Sequence, residues 1–350
     1  MNALLRVGLC LVAFTGSSAL ALRDLVQYRS TAERIEAAAR TYLASLDAEQ
    51  RAQAVLSFDD PYRTDWHYIP RSRRGLRIDE MNDEQRRLLH GLLRSALSSQ
   101  GYLKVTSIMG LEETLGAMER AAGGDGTLRD RGAYTVTFFG SPEDRPWAWR
   151  FEGHHVSLNL LTGEDGSVAV TPEFLGANPA TVSTGPDAGL EILSKEEELG
   201  FRLLHALSDV QRAEAIIDVA GRGDILLTPG TNIDALGQPV GLPASRMTAE
   251  QLHIFGDLVS LYAHNFDTEL AQPLLERLGS ADPEQVFFAW VGGVTRAEPH
   301  YYRIHGPGWV IELDNSRPGA NHVHTVWRDA ENDFGAAALE RHLRESHLEH

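Results

Sequence analysis

Cysteine is all but missing: the 350-residue chain has one, Cys10, inside an apolar N-terminal stretch. Beyond it there is no thiol, so disulfides, cysteine-ligated zinc and thiolate nucleophiles are excluded. Long apolar runs are missing as well. The one candidate, Val7 to Leu20, is broken by Gly16, Ser17 and Ser18 and falls short of the roughly 18–20 residues that cross a bilayer. With Arg6 before it and Ala19-Leu20-Ala21 after it, the stretch reads as a signal peptide over residues 1–21. The residues preceding Cys10 make a poor lipoprotein cleavage site. A mature chain beginning near Leu22 is expected, periplasmic or secreted, with no stable membrane insertion after cleavage. Basic charge is in deficit too, with 32 Lys and Arg against 49 Asp and Glu and a net charge of -17. Such a field repels nucleic acid and anionic membranes, which leaves a small-molecule substrate as the expected partner. The local exception is a basic cluster at Arg71, Arg73, Arg74 and Arg77.

Several catalytic signatures are also lacking. There is no Gly-x-Ser-x-Gly elbow, Walker loop, dinucleotide glycine fingerprint or His-Glu-x-x-His helix. Without disulfides the fold must be held by its core. A chain of about 300 residues buries roughly three quarters of its unfolded surface, which suffices.

What is present is a repeated order. An apolar residue followed four places later by glutamine occurs at Leu46–Gln50, Met81–Gln85, Leu207–Gln211 and Met247–Gln251, each opening a helical pattern. In each half the second of these is followed by an apolar strand with glycine (Tyr134 to Gly140, Val286 to Gly292) and an aromatic strand ending in arginine (Pro146 to Arg150, Pro299 to Arg303). Helical periodicity covers Ser30–Ser57, Asp83–Ser99, Leu111–Ala122, Lys195–Ala220 and Ala249–His264, with a last helix over Phe334–Glu345. Strand patterns cover Gly132–Phe139, Ala148–Leu161, Val286–Val291, His300–Ile304, Gly308–Asn315 and His322–Arg328. Helices then strands, twice, predicts an α+β fold of two diverged repeats, 22–180 and 181–350, packed as one unit around antiparallel strands.

Two stretches carry the candidate chemistry. One holds His154 and His155. The other is a predicted hairpin in which Glu312 and Asp314 precede a loop of turn formers, and His322 and His324 follow it. Side chains two apart on a strand share a face, so His322 with His324, and Glu312 with Asp314, point the same way. With Asp314 opposite His322 and Glu312 opposite His324, four donors would share one surface. Imidazole and carboxylate donors suit a divalent metal, zinc first, with iron or copper compatible. Either His154 or His155, one of the two by alternation, would complete it from the other repeat. Glu312 would serve as a fourth ligand or general base. Asp329 would orient a ligating imidazole, and Arg328 would clamp a substrate carboxylate or phosphate. Arg303, Arg74 and His67 are candidates for lining the substrate cleft. The bland alternative is a polar sheet face with structural Arg–Asp pairs.

These residues also resemble a known family. Trp66 with Pro70 and Gly75, Gly153-His154-His155 with Asn159, Phe174-x-Gly176-Ala177-Asn178-Pro179, Tyr301-Tyr302-Arg303-Ile304 and His322-x-His324 with Arg328-Asp329 are similar to the family known only as domain of unknown function 3500. The resemblance spans nearly the whole mature chain and implies no activity. The reading of the residues themselves points to an exported metal-dependent hydrolase of a small organic or phosphorylated compound, with a copper or iron redox enzyme or a non-catalytic binding protein as alternatives.

Overall fold

The structure, a computed structural model, describes residues 30–340 apart from Arg222. The signal peptide read over 1–21 and the far end of the helix expected to reach Glu345 lie outside the described residues. Glutamine decides how four of the helices begin. Two helices, α1 (Thr31–Ala44) and α2 (Ala48–Ala54), replace the single expected run over Ser30–Ser57. Asp47 caps α2 by accepting from the Gln50 N–H while the Gln50 side chain takes the Asp47 N–H, so the chain turns there instead of continuing. Asn82 with Gln85 opens α3 (Asp83–Ala96) in the same way, and α4 (Ser99–Ala121) follows. The same boxes recur later in the chain. After α5 (Ser194–Ala206), Ser208 with Gln211 opens α6 (Asp209–Ala215), and Thr248 with Gln251 opens α7 (Ala249–Ala263), followed by α8 (Thr268–Ser280).

Each pair of capping glutamines is also joined side chain to side chain. Gln85 Nε2 donates to Gln50 Oε1 at 2.7 Å and to Ser45 O at 2.9 Å. Gln251 Nε2 donates to Gln211 Oε1 at 3.0 Å and to Ala206 O at 2.8 Å. The recurring glutamines therefore do two jobs at once, starting a helix and fastening it to its partner, α2 to α3 and α6 to α7.

The strands fall in two groups along the chain. The first half has β1 (Val55–Leu56), β2 (Leu76–Arg77), β3 (Thr135–Ser141), β4 (Asp144–Gly153), β5 (Val156–Thr162), β6 (Val168–Ala169) and β7 (Glu173–Ala177). The second has β8 (Ile216–Asp218), β9 (Leu242–Pro243), β10 (Phe287–Gly292), β11 (His300–Gly306), β12 (Trp309–Asn315) and β13 (Val323–Asp329). All join one mostly antiparallel sheet in the order β1-β3-β4-β5-β7-β13-β12-β11-β10-β8, with β2, β6 and β9 pairing off this path. The seam between halves is the antiparallel pair β7–β13, where Gly176 lies opposite His324. At each end a short strand, β1 or β8, pairs in parallel with the first long strand of its half.

The helices pack on one face of this sheet around a core that holds Trp147, Trp149, Trp290 and Trp309. The other face is covered by two irregular stretches, around Trp66 and Tyr68 in one half and Ile225, Leu227 and Ile233 in the other, which meet Phe174, Val310 and Val326. The architecture is α+β, as the pattern predicts. Among the described residues no helix is long and apolar enough to cross a membrane.

Three departures from the sequence reading have local causes. The stretch Ala148–Leu161 is two strands, because Gly153 pairs with Val156 and leaves His154 and His155 as a two-residue turn. Helix α8 was not expected, because it carries Pro273, which removes a backbone donor. In β12–β13, Asp314 lies opposite His324, and Glu312 opposite Val326. The expected register is thus displaced by two residues, which keeps every side chain on its expected face but moves Glu312 down the strand.

Candidate metal centre

Two segments that are far apart in sequence meet at the seam. His155 sits at the tip of the β4–β5 hairpin with φ 65, a left-handed conformation that side chains seldom adopt. Its backbone is pinned on both sides: its N–H donates to Tyr68 O at 2.9 Å, and its carbonyl accepts from Gly176 N at 2.8 Å. His322 ends the β12–β13 loop, where its N–H donates to Asn315 Oδ1 at 3.0 Å. His324 is the second residue of β13. Gly176 explains why the rings can converge. A methyl group there would lie 2.9 Å from His324 Cδ2 and 3.0 Å from His155 Cδ2, so only glycine leaves room between them.

The donor atoms of His155, His322 and His324 all lie within 4.8 Å of one another. His322 Nε2 is 3.0 Å from His155 Nε2 and 3.1 Å from His324 Nε2. With metal–nitrogen bonds of about 2.0–2.1 Å, neighbouring ligand atoms stand about 2.9 Å apart in octahedral geometry and about 3.3 Å apart in tetrahedral geometry. The observed spacings fall between these values. His322 Nε2 thus stands at the separation of neighbouring ligands of one divalent ion from both other rings.

The electrostatics favour lone pairs over protons on two of these rings. Burial, reinforced by the neighbouring rings of His154, His324 and His322, drives His155 well below the usual imidazole range. Burial, with His324 and the Arg317 guanidinium, brings His322 down to about 3. Neutral imidazole is the form that binds metals.

Asp224 supplies the outer support. Its Oδ1 lies 2.6 Å from His324 Nδ1, and its Oδ2 accepts from Tyr68 Oη at 3.3 Å and Arg317 Nη2 at 3.2 Å. Burial alone would raise this carboxyl, but the hydrogen bond and charge of His324 and the Arg317 guanidinium hold it below the ordinary carboxylate range. A carboxylate on Nδ1 fixes the ring so that Nε2 faces the other two imidazoles, the common arrangement behind a ligating histidine.

The remaining sequence candidates lie elsewhere. His154 stacks on His155 with ring centroids 3.7 Å apart, but its Nδ1 turns to the buried Glu112, 2.5 Å from Oε1. Of the two alternating histidines, His155 is the one that faces the cluster. Glu312 is fully buried and committed: Tyr301 Oη donates to it at 2.5 Å, and the N–H groups of Leu226 and Leu227 donate at 3.2 and 2.8 Å. Arg328 is held by Asp333 at 2.5 Å and Asp329 by Arg277 at 2.9 Å. Four and five residues beyond His324, they sit roughly 13–17 Å along β13. Arg303 is buried opposite Glu312 on β11. Arg74 pairs with Asp60 at 2.9 Å, and the His67 N–H is 3.4 Å from Glu152 Oε2. Among the described residues none of these seven has a hydrogen bond to the three rings. Sequence reasoning missed Asp224, Arg317, Tyr68 and Gly176. Only the turn-rich spacing around Arg317 signalled proximity to His322.

Fold and cluster together define an α+β protein with one mostly antiparallel sheet, which gathers three imidazoles at the join of its halves. The model of the family described as a protein of unknown function (DUF3500) matches residues 28–336, most of the chain, and the protein belongs to that family. No curated protein and no solved structure matches the chain.

Proposed function

We propose that this protein is an exported metal-dependent hydrolase acting on a small organic or phosphorylated compound, with His155, His322 and His324 as the ligands of one divalent ion, zinc first. The observation that carries the reading is His322 Nε2 at ligand spacing from both His155 Nε2 and His324 Nε2, with all three rings gathered within 4.8 Å and backed by Asp224 on His324. Three protein ligands with a position left for water or substrate is the ligand count of catalytic zinc sites, whereas structural sites are closed by four. The ion supplies a water of lowered pKa and polarises the substrate oxygen. The chain's own residues do the positioning. Asp224 sets the His324 ring, Tyr68 braces Asp224, and the Tyr68 and Gly176 backbones set His155. Glu312 is removed from the reacting centre and serves instead to anchor the 226–227 backbone over the sheet.

The experiment is hydrolysis of chromogenic phosphate and carboxylate esters by zinc-loaded and chelator-treated protein, beside His322→Ala. Activity that needs the metal and is lost in the variant is expected. Equal activity in all three samples, or none in any, would remove the hydrolase reading.

The repeated helix and strand order, the paired capping glutamines and the equivalent end strands support a tandem duplication with copies over 22–180 and 181–350. In that reading the cluster is not duplicated but built once, where the two copies meet.

A further inference from the structure

Arg317 stands where the proposed ion and its substrate would meet. Its Nη1 lies 3.1 Å from Nδ1 of His322, and its Nη2 lies 3.2 Å from Asp224 Oδ2. A guanidinium has five N–H donors and no acceptor, so His322 Nδ1 is the acceptor in this contact. A neutral imidazole carries one proton, which therefore sits on Nε2, the nitrogen that faces His155 and His324. Coordination through Nε2 needs its lone pair and shifts the proton to Nδ1, where it would meet an arginine N–H head on. The Arg317–His322 contact and an ion on His322 exclude each other.

Resting on the metal reading above, we propose that Arg317 leaves His322 when the ion binds and then holds the anionic group of the substrate, a carboxylate or phosphate, beside the ion. The side chain has the freedom this requires. It is 39% exposed and belongs to a loop that turns through Gly319 at φ 89 and Ala320 at φ 43. Its second contact, to Asp224, keeps it near the cluster as the first is released. Among the described residues it is the one arginine within hydrogen-bond distance of any of the three rings. The planar fork matches two oxygens of a carboxylate or phosphate. Arg328, Arg303 and Arg74, the sequence candidates for this role, are engaged or buried elsewhere.

The test titrates cobalt(II) into the full chain and into Arg317→Met, with visible absorption as the readout, followed by phosphate and acetate in separate arms. Removing the competing donor is expected to tighten cobalt binding by about tenfold, the worth of one charge-assisted hydrogen bond. The same change should raise the phosphate or acetate concentration that shifts the cobalt spectrum by about tenfold or more. The arm with the larger change identifies the anion. Nitrogen NMR of labelled histidine should show the His322 proton moving from Nε2 to Nδ1 on loading. Cobalt bound equally by both proteins, with anions acting at equal concentrations, would overturn the Arg317 role and leave the metal reading standing. Tighter cobalt without any change in anion response would overturn the clamp. No cobalt bound by either protein would remove the metal reading and this one together.

Discussion

Glu173 offers a measurable prediction because its environment is fixed by the fold and not by the proposed ion. It lies on β7 next to the seam, fully buried, on the face that carries the helices, with its Oε1 accepting from Asn265 Nδ2 at 2.9 Å. Burial raises its carboxyl from 4.5 to about 8, although Lys104 and the Asn265 hydrogen bond pull the other way. The folded protein then keeps a proton that the unfolded chain releases near pH 4.5. Between these values the folded state binds up to one proton more, so stability falls as pH rises. Below the lower value both states are protonated and the group contributes nothing. At roughly 1.4 kcal/mol per pH unit, the loss over the whole window is about 5 kcal/mol as an upper bound. Glu173→Gln keeps the shape and the acceptor but removes the proton. Urea midpoints from pH 5 to 9 should show the variant close to the natural chain at pH 5 and progressively more stable above it, by several kcal/mol at pH 9. Parallel curves across that range would refute the reasoning.

Three other substitutions test the cluster and its frame. Gly176→Ala places a methyl 2.9–3.0 Å from ring carbons of His324 and His155. It should lower zinc affinity by about 10–100-fold in calorimetry with circular dichroism unchanged. Asp224→Asn keeps an oxygen for His324 Nδ1 but loses its charge, and a drop in zinc affinity of about tenfold is expected from the same titration. Gln85→Ala and Gln251→Ala each remove half of a capping box and a side-chain pair, and should each cost about 1–2 kcal/mol in urea denaturation. Similar losses at these two positions would support equivalent roles in the two halves.

Much of the fold was legible because period and cap chemistry are local. The strands from 286 to 329 are alternating or rich in apolar and aromatic strand formers, and the capping glutamines mark four helix starts. Strand β7 was not recognised: Glu173-Phe174-Leu175-Gly176-Ala177 mixes a carboxylate and a glycine into a short run, and its place at the seam is set by tertiary pairing. The His322–His324 pair was readable from the strand period alone. Its convergence with His155 was not, because that depends on the seam and on the space left by Gly176. Glu312 looked like a ligand only until its partners were visible. The stretch that supplies two of those partners, and Asp224 with them, has almost no regular structure and so no periodic signal.

In the proposed site one ion sits on imidazoles from two distant hairpins. Zinc-loaded, gel-filtered protein assayed by elemental analysis beside His155→Ala and a His322→Ala, His324→Ala double variant tests it most directly. About one zinc per natural chain is expected, with most of it lost in both variants, since each removes ligands of a three-histidine site. Equal zinc in all three proteins would contradict it.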